Sequence, residues 1–414
     1  MYIFNKLIIV VLALFYCKSS GDSLIRKIPS TVEAIPSSQK FYNEVLPKLS
    51  GKKALLITNP SGIGSNPEKL IRLFKEKNVR IQYLLGLEHG FLGLEEDFTS
   101  TPVTIDPIFN VPIYHVYKLK TSDLQLLIKG VDVIVFDVQD MGMRCYTYLT
   151  VLKRLMDQTP DSKIEFIVLD HVSPGMEVPA SGEEVKAGNE NFAAEFPLLF
   201  FTGLTLGESA QFYNDEYLKR KVNLKIIPVE NYKRGMFFEK TGLLWNTPSP
   251  NLPTLDSARN YLSLVLLEGV NVSVGRGTQA PFIYFGAPYF RDVEEIAAEL
   301  NSKSKEDYYF QPIFFRPTFG PYREKICRGL RLTIVNLNYN PIELSYNLIK
   351  VLKGKLGKDF KWNQWGTTFT IDHLWGTEHF RKSIDQNKSY SEFHEHFNSL
   401  ETEYQKRIKK YYLY

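Results

Sequence analysis

The chain has 414 residues, of which 44% are hydrophobic and 23% are charged. This balance is typical of a globular protein with a sizeable core and argues against global disorder. The length is sufficient for two or three domains. The 50 basic and 46 acidic residues leave a net charge of only +4, and no long basic stretch is present, which argues against nucleic-acid binding.

The N-terminal residues predict export. An apolar run of about ten residues, Leu7 to Tyr16, is too short to span a bilayer as a permanent helix and is typical of a secretory signal. Cys17 follows it directly and resembles the lipidated cysteine of a bacterial lipoprotein, although Tyr16 is bulkier than usual there. We predict a signal peptide over residues 1–16, lipidation of Cys17, a tether over residues 17–44, and a lipid-anchored location in the bacterial cell envelope. A plain cleaved signal and an N-terminal anchor helix are the alternatives.

From about residue 53, apolar strand-like segments alternate with amphipathic helix-like segments. The predicted strands cover residues 54–58, 79–85, 131–136, 164–169 and 224–229. The predicted helices cover residues 68–77, 123–129, 146–156 and 206–217. This alternation predicts an α/β domain with a Rossmann-like parallel sheet buried on both faces, and we place that domain at residues 45–255.

A different pattern begins near residue 245. Repeated prolines between residues 245 and 254 exclude regular structure and indicate an ordered loop or a domain junction. Beyond it, a predicted helix over 257–268 and a glycine-rich segment over 269–282 lead into short strands and further helices. We predict a smaller α+β domain over residues 256–414, which completes the cleft of the first.

Polar side chains follow four of the predicted strands. They are Asn59, then Glu88 and His89, then Asp137, Gln139 and Asp140, and finally Asp170. A single aspartate at such a place usually caps a helix. Because the carboxyl ends of parallel strands meet at one edge of the sheet, where ligands bind, the four clusters together predict a functional site.

Glu88 is the first candidate for chemistry. Glycoside hydrolysis usually needs one carboxyl group as proton donor and, opposite it, a second carboxylate or an activated water. Glu88 follows an apolar strand and is flanked by Leu87 and Phe91, a setting typical of a proton-donating carboxyl group. A structural glutamate bonded to loop amides is the alternative.

Two arginines are candidates for binding an anionic group. Arg144 lies close in sequence to Asp140 and Tyr146, where these side chains form either a polar wall for a sugar or a buried ion pair. Arg276 lies in the glycine-rich turn Gly275 to Thr278, which is either an anion-binding turn or a tight structural turn.

We expect no metal and no cofactor. The seven histidines show no H-x-x-x-H or H-E-x-x-H spacing. Cys145 and Cys327 also lack metal-ligand spacing, and they either pair or remain as two buried free thiols. A nucleotide-dependent Rossmann enzyme is the least favoured function, because no Gly-x-Gly-x-x-Gly turn follows the first strand.

Taken in order, these motifs resemble those of a known family. The motifs are Thr58-Asn59-Pro60-Ser61-Gly62, Glu88-His89-Gly90-Phe91, Val135 to Asp140, Arg144 with Tyr146-Thr147-Tyr148, Val168-Leu169-Asp170, Gly203 to Glu208, Pro248 to Asn251, Glu268-Gly269 with Asn271, Ser273 to Thr278, Leu374 to Thr377, and Tyr412-Leu413-Tyr414. From about Leu55 to Tyr414 the chain resembles the exo-β-N-acetylmuramidases of the NamZ type. These are two-domain proteins that remove N-acetylmuramic acid from the non-reducing ends of peptidoglycan fragments.

The resemblance implies roles for individual residues. Glu88 corresponds to the family's likely catalytic acid. For the second carboxylate we favour Asp140, while Asp137, Glu268 and a water-based route stay open. Arg144 and Arg276 are the cations that the motifs offer to the lactyl carboxylate of muramic acid. The full set of predicted substrate-binding residues is Asn59, His89, Asp137, Gln139, Arg144, Tyr146, Asp170, Asn251, Asn271 and Arg276.

The chain departs from the family pattern at several places. His171 and Ser173 stand where the family commonly has Arg and Asn, Thr202 stands where it has His, and Leu87 stands where it has Pro. These changes put the substrate preference in doubt. They also motivate an alternative function, a catalytically degenerate, lipid-anchored protein that binds cell-wall fragments without cleaving them.

Overall fold

The computed structural model describes residues 33–62, 67–95, 101–105, 110–159 and 163–414. The predicted signal peptide and Cys17 lie outside the described residues. The part from Glu33 to Tyr414 packs as one compact unit, and the division at residue 255 stays a prediction. Within the described residues, no helix is both long enough and apolar enough to cross a membrane.

A seven-stranded sheet organises the N-terminal half. Its strands are β1 (Lys53–Thr58), β2 (Arg80–Gly86), β3 (Val103–Ile105), β4 (Pro112–His115), β5 (Val133–Asp137), β6 (Glu165–Leu169) and β7 (Asn223–Ile227). They lie in the order β3-β4-β2-β1-β5-β6-β7, and every pair is parallel except β3 with β4. Without β3, this is the doubly wound order of Rossmann folds, so the predicted fold class is confirmed.

Helices cover the sheet and build much of the C-terminal half. They are α1 (Ser37–Lys40), α2 (Pro67–Glu76), α3 (Thr121–Lys129), α4 (Tyr148–Asp157), α5 (Leu206–Glu216), α6 (Leu255–Leu264), α7 (Val293–Ser302), α8 (Pro341–Leu356), α9 (Thr370–Trp375), α10 (His379–Asp385), α11 (Tyr390–Glu395) and α12 (Asn398–Ile408).

The two faces of strand β1 explain why its sequence is almost entirely apolar. Leu55 and Ile57 pack into one hydrophobic cluster, and Ala54 and Leu56 pack into another on the opposite face.

The end of the predicted tether belongs to the folded unit. A π-helical turn, Phe41–Val45, and a 3₁₀ turn, Leu46–Leu49, continue directly from α1. Phe41 is fully buried in the core. The apolar face of this segment therefore packs against the sheet from before residue 44, where the tether was expected to end.

The C-terminal half has its own small sheets. The strands β8 (Tyr284–Ala287), β10 (Cys327–Ile334) and β9 (Tyr308–Phe315) form an antiparallel sheet in that order. A two-stranded hairpin, β11 (Gln364–Trp365) with β12 (Thr368–Phe369), projects separately. This mixture agrees with the predicted α+β character. Cys145 and Cys327 are buried free thiols.

Candidate active site

Both halves of the chain line a cavity of about 170 Å³. The N-terminal half contributes the residues that follow β2 and β5, two residues between β6 and β7, and part of the proline-rich loop. The C-terminal half contributes the remainder. The lining residues are Glu88, His89, Cys145, Tyr146, Thr147, Phe192, Ala193, Ser249, Asn251, Leu252, Tyr261, Val265, Glu268, Arg276, Phe282, Trp365 and Leu374. Five of the predicted site residues, Glu88, His89, Tyr146, Asn251 and Arg276, meet here.

Glu88 follows β2 and is held by a hydroxyl group. Its Oε2 accepts a 2.8 Å hydrogen bond from Oγ1 of Thr147, whose oxygen also lies 2.9 Å from the hydroxyl of Tyr117. Thr147 is the N-cap residue of α4 but makes no capping hydrogen bond with its side chain. The Glu88 side chain is 24% exposed. One carboxyl oxygen is thus fixed, while the group keeps access to the cavity.

His89 connects Glu88 to the proline-rich loop. Its Nδ1 lies 2.9 Å from the carbonyl oxygen of Glu95, and its Nε2 lies 2.9 Å from Oγ of Ser249. Because a carbonyl only accepts, Nδ1 carries a proton in this contact. The φ angle of His89 is +70°, a left-handed conformation that is uncommon outside glycine. The sharp turn brings Nε2 to 4.0 Å from Oε1 of Glu88.

A second carboxylate lies in the same cavity. Glu268, in the 3₁₀ turn Val265–Gly269 that follows α6, accepts a 2.7 Å hydrogen bond at Oε1 from Nε of Arg276. The Arg276 guanidinium also lies over the ring of Phe282, 5.0 Å from its centroid. Burial disfavours the charge on Arg276, but Glu268 and Glu88 outweigh it and raise the arginine pKa above its ordinary value. Among the described residues, Nε is the only guanidinium atom with a hydrogen-bond partner, so the terminal nitrogens are available to a ligand.

Two buried donors in the cavity wall have no partner among the described residues. They are the hydroxyl of Tyr146 and Nδ2 of Asn251. Tyr146 is 8% exposed and Asn251 is 2% exposed. An unsatisfied buried polar group costs about 1–3 kcal/mol, and native structures keep such groups rare. Their shared position indicates a site that a polar ligand completes.

The other polar residues at the strand ends do not line this cavity. Asn59 donates through Nδ2 to Tyr148 (2.8 Å) and to the carbonyl of Pro248 (3.3 Å), which anchors the proline-rich loop. Asp170 accepts from the amide of Gly207 (2.8 Å) near the N-terminus of α5 and from the hydroxyl of Tyr414 (2.9 Å). These contacts stabilise the scaffold beneath the cavity.

Asp137, Gln139 and Asp140 form a buried network with the segment after β6. Oδ1 of Asp137 lies 2.7 Å from Nε2 of His171. Gln139 donates to the carbonyls of Asp140 and Val172. Asp140 is fully buried and accepts from the Ser173 hydroxyl and the amide of residue 142, and burial raises the pKa of Asp140. Gln139, Asp170 and His171 line a separate cavity of about 440 Å³.

Arg144 joins the two halves of the chain. It is fully buried, and it donates to the carbonyl oxygens of Glu183 (2.6 Å), Leu198 (2.9 Å) and Trp375. Burial lowers the pKa of Arg144 to about 10. Asn271 is also structural here, since its side chain bonds to the backbone of Asp359 and of residue 361. Neither residue lines the cavity that contains Glu88.

Comparison with known proteins agrees with this arrangement. A family model described as "Exo-beta-N-acetylmuramidase NamZ, N-terminal" matches residues 54–256, and its C-terminal counterpart matches residues 259–414. The chain belongs to the NamZ family. The resemblance inferred from the motifs and the glycosidase class are thereby confirmed.

Individual relatives match nearly the whole chain. The peptidoglycan beta-N-acetylmuramidase NamZ of Bacillus subtilis (strain 168) is 29% identical over 385 residues, which is 92% of both chains. Crystal structures of two DUF1343 family proteins from Bacteroides fragilis superpose with TM-scores of 0.81 and 0.70, at 25% and 26% identity. Each superposition covers 92% of this chain and 99% of the other.

Three of the four departures from the NamZ pattern do not line the cavity; the fourth, Leu87, directly precedes Glu88. His171 contacts Asp137, and Ser173 bonds to Asp140. Thr202 is fully buried and donates to the carbonyl of Leu204 (2.9 Å). None of these three residues lines the cavity around Glu88.

Several lining residues were not among the predicted site residues. Thr147 and Ser249 lie inside motifs that carry the NamZ resemblance, so their positions in sequence were a usable signal. Glu268 was only an open alternative. Trp365 lies on the β11–β12 hairpin and is 58% exposed, and no sequence pattern marked it.

Proposed function

We propose that this chain is an exo-acting glycosidase that releases N-acetylmuramic acid, or a closely related amino sugar, from the non-reducing ends of peptidoglycan fragments. The observation that carries the proposal is Glu88, held by Thr147 in a cavity that also contains Glu268 and Arg276. Family membership and the name of the Bacillus subtilis relative support the substrate class.

Glu88 is the general acid of the proposed reaction. Thr147 holds Oε2, so Oε1 faces the substrate and carries the proton. The bond between the anomeric carbon and the glycosidic oxygen breaks as this proton moves to the leaving oxygen. The leaving sugar departs as a neutral alcohol. The hydroxyl group of a water molecule ends on the anomeric carbon, and the other proton of that water passes to the carboxylates of the site, which restores the proton of Glu88 for the next turnover.

Glu268 is the second carboxylate. It lines the cavity with Glu88, whereas the side chains of Asp137 and Asp140 are engaged in the buried network behind it. Its carboxylate lies in the cavity in an ion pair with Arg276, a position that suits a group that stabilises positive charge at the anomeric carbon. We therefore place Glu268 in the role for which the motifs first favoured Asp140.

Recognition of the sugar follows from the other lining residues. The free end of the Arg276 guanidinium suits the lactyl carboxylate, because its planar fork matches a carboxylate in two hydrogen bonds. Tyr146 and Asn251 supply hydrogen bonds to the acetamido and hydroxyl groups.

The alternative of a non-catalytic binding protein rested on the altered residues His171, Ser173 and Thr202. Because these residues lie outside the cavity, they give no reason to expect lost catalysis. We therefore retain the hydrolase.

We also propose, from the sequence alone, that the chain is exported and anchored through a lipid on Cys17. The wild-type protein should fractionate with membranes and incorporate labelled palmitate, whereas Cys17→Ala should do neither. Palmitate labelling that persists in Cys17→Ala would contradict this assignment.

Product analysis tests the proposed activity. The purified protein is incubated with two oligosaccharides, one with N-acetylmuramic acid at its non-reducing end and one with N-acetylglucosamine there and muramic acid inside. Mass spectrometry should show free N-acetylmuramic acid from the first and no cleavage of the second. Cleavage within the second substrate, or no cleavage of either, would contradict exo-muramidase activity.

A further inference from the structure

A cluster of two histidines and one glutamate lies outside the cavity around Glu88. One ring nitrogen of His379, one ring nitrogen of His396 and a carboxylate oxygen of Glu183 all lie within 4.8 Å of one another. We propose that these three residues bind a Zn²⁺ ion. This inference goes beyond the hydrolase proposal and does not depend on it.

Two of the separations between ligand atoms are close to those of tetrahedral coordination. Ligand atoms bound at about 2.0–2.1 Å to a tetrahedral Zn²⁺ lie roughly 3.3–3.4 Å apart. Oε1 of Glu183 lies 3.3 Å from Nδ1 of His379 and 3.7 Å from Nε2 of His396. The Nδ1 atom is buried and makes no hydrogen bond with the described residues. The histidine nitrogen therefore lies where a ligand of a shared metal ion would lie.

The surroundings orient the carboxylate for this role. Oε2 of Glu183 accepts hydrogen bonds from Nε1 of Trp375 and from Oγ1 of Thr377 (2.8 Å). These bonds leave Oε1 directed towards the two histidines. Outer-shell partners of this kind fix the orientation of ligating groups in zinc sites.

The cluster is also accessible to an ion. The side chain of His396 is 64% exposed, whereas those of Glu183 and His379 are 9% and 18% exposed. His396 follows α11 directly, and His379 is the first residue of α10. The exposed side provides an entry path and leaves the fourth coordination position to water.

The position of the cluster indicates a structural role. Glu183 belongs to the N-terminal half, and both histidines belong to the C-terminal half. Arg144 binds the carbonyls of Glu183 and Trp375 beside it, and the neighbouring Leu374 lines the cavity that contains Glu88. A bound Zn²⁺ would therefore fasten the two halves together next to one wall of that cavity.

Metal binding to the purified, untagged chain tests the proposal. The protein is stripped with a chelator, dialysed, and titrated with Zn²⁺ against a chromophoric competitor, and its melting temperature is measured with and without Zn²⁺. We compare the wild type with His396→Ala, an exposed substitution compatible with folding, and with Glu183→Gln. His394→Ala is the matched control, because His394 is two residues away and pairs with Glu401 instead.

The wild type and the His394→Ala control should bind one Zn²⁺ per chain and melt at a higher temperature when it is bound. In His396→Ala and Glu183→Gln, affinity should fall on the order of 100-fold or more. Failure of the wild type to bind Zn²⁺ saturably would overturn the proposal. Undiminished binding by His396→Ala would overturn it too, because the ion would then sit elsewhere.

Discussion

The hydroxyl of Thr147 donates a 2.8 Å hydrogen bond to Oε2 of Glu88 from the N-cap position of α4. A threonine at this position ordinarily uses its side chain to cap its own helix. Here it holds the carboxyl group of Glu88, which follows β2. The second carboxyl oxygen of Glu88 is not held by Thr147 and is directed towards the cavity. The geometry of the proposed acid therefore depends on Thr147, which we classify as a positioning residue.

Removing the Thr147 hydroxyl should slow the reaction. Thr147→Val keeps the shape of the side chain but not the hydrogen bond, and we expect kcat to fall roughly tenfold to a hundredfold with little change in KM. Thr147→Ser should retain most of the activity because it restores the donor. Steady-state kinetics on a disaccharide of N-acetylmuramic acid and N-acetylglucosamine, with the muramic acid at the non-reducing end, distinguish the two variants. Equal kcat values for Thr147→Val and the wild type would remove the positioning role.

Arg276 should determine selectivity for the lactyl carboxylate. In Arg276→Gln we expect KM for muramic-acid-terminated substrates to rise about tenfold or more, since a charge-assisted pair is lost. Any residual hydrolysis of the analogue that lacks the lactyl group should change much less. Arg276→Gln also breaks the ion pair with Glu268, which should affect both substrates alike. The ratio of the KM values for the two substrates within one variant therefore removes that shared effect. An unchanged ratio would show that Arg276 does not contact that carboxylate.

Two tyrosines of the same motif should behave in opposite ways. The hydroxyl of Tyr146 is buried without a partner, whereas that of Tyr148 donates to the carbonyl of Pro248 at 2.6 Å. We expect Tyr148→Phe to lower the free energy of unfolding by about 1–3 kcal/mol. Tyr146→Phe should leave the free energy of unfolding unchanged or raise it slightly, but should weaken substrate binding. Urea unfolding and KM measure the two effects. A clear loss of stability in Tyr146→Phe would contradict the claim that the Tyr146 hydroxyl makes its hydrogen bond only to a bound ligand.

Asp170 should make folding stability depend on pH. Burial, with a contribution from Glu208, raises the pKa of Asp170 from 3.8 to about 6. The folded chain therefore holds this proton more tightly than the unfolded chain. The resulting stabilisation is complete below a pH of about 4 and is lost as the pH rises through about 6, with a size on the order of 3 kcal/mol.

The variant Asp170→Asn isolates this contribution because it cannot titrate. The free energy of unfolding of the wild type minus that of the variant should increase as the pH is lowered from 7 to 4. Denaturant unfolding at both pH values gives this difference. A difference that stays constant, or that grows in the opposite direction, would show that Asp170 is not a buried acid with a raised pKa.

The parallel sheet was predictable because its strands are buried on both faces. A continuous apolar run such as residues 133–136 of β5, between two amphipathic helices, is typical of a central parallel strand. The edge strand β3 and its neighbour β4 were not predicted. They are only three and four residues long, β4 begins with Pro112, and neither has a strong periodic pattern. Local pattern identifies longer buried strands well and very short strands poorly.

The candidate site was predictable only in part, because strand ends serve two purposes. Polar residues there line a cavity, as Glu88 and His89 do, or they satisfy the helix that follows, as Asp170 does at α5. Sequence motifs do not separate these cases.

The two arginines show the same limit. Arg276 keeps its terminal nitrogens for the cavity, while Arg144 uses its donors on backbone carbonyls. Glu268 and Trp365 reach the cavity only because the C-terminal half folds against the sheet.

The most direct test of Glu88 as the general acid compares wild type and Glu88→Gln on two substrates that differ in leaving group. One is the disaccharide of N-acetylmuramic acid and N-acetylglucosamine, whose leaving oxygen needs a proton. The other is an aryl N-acetylmuramide with a dinitrophenolate leaving group, which does not. We predict that Glu88→Gln lowers kcat/KM for the disaccharide by about 10²–10⁴-fold and lowers it far less for the aryl glycoside. Release of N-acetylmuramic acid from the disaccharide at the wild-type rate by Glu88→Gln would contradict the assignment.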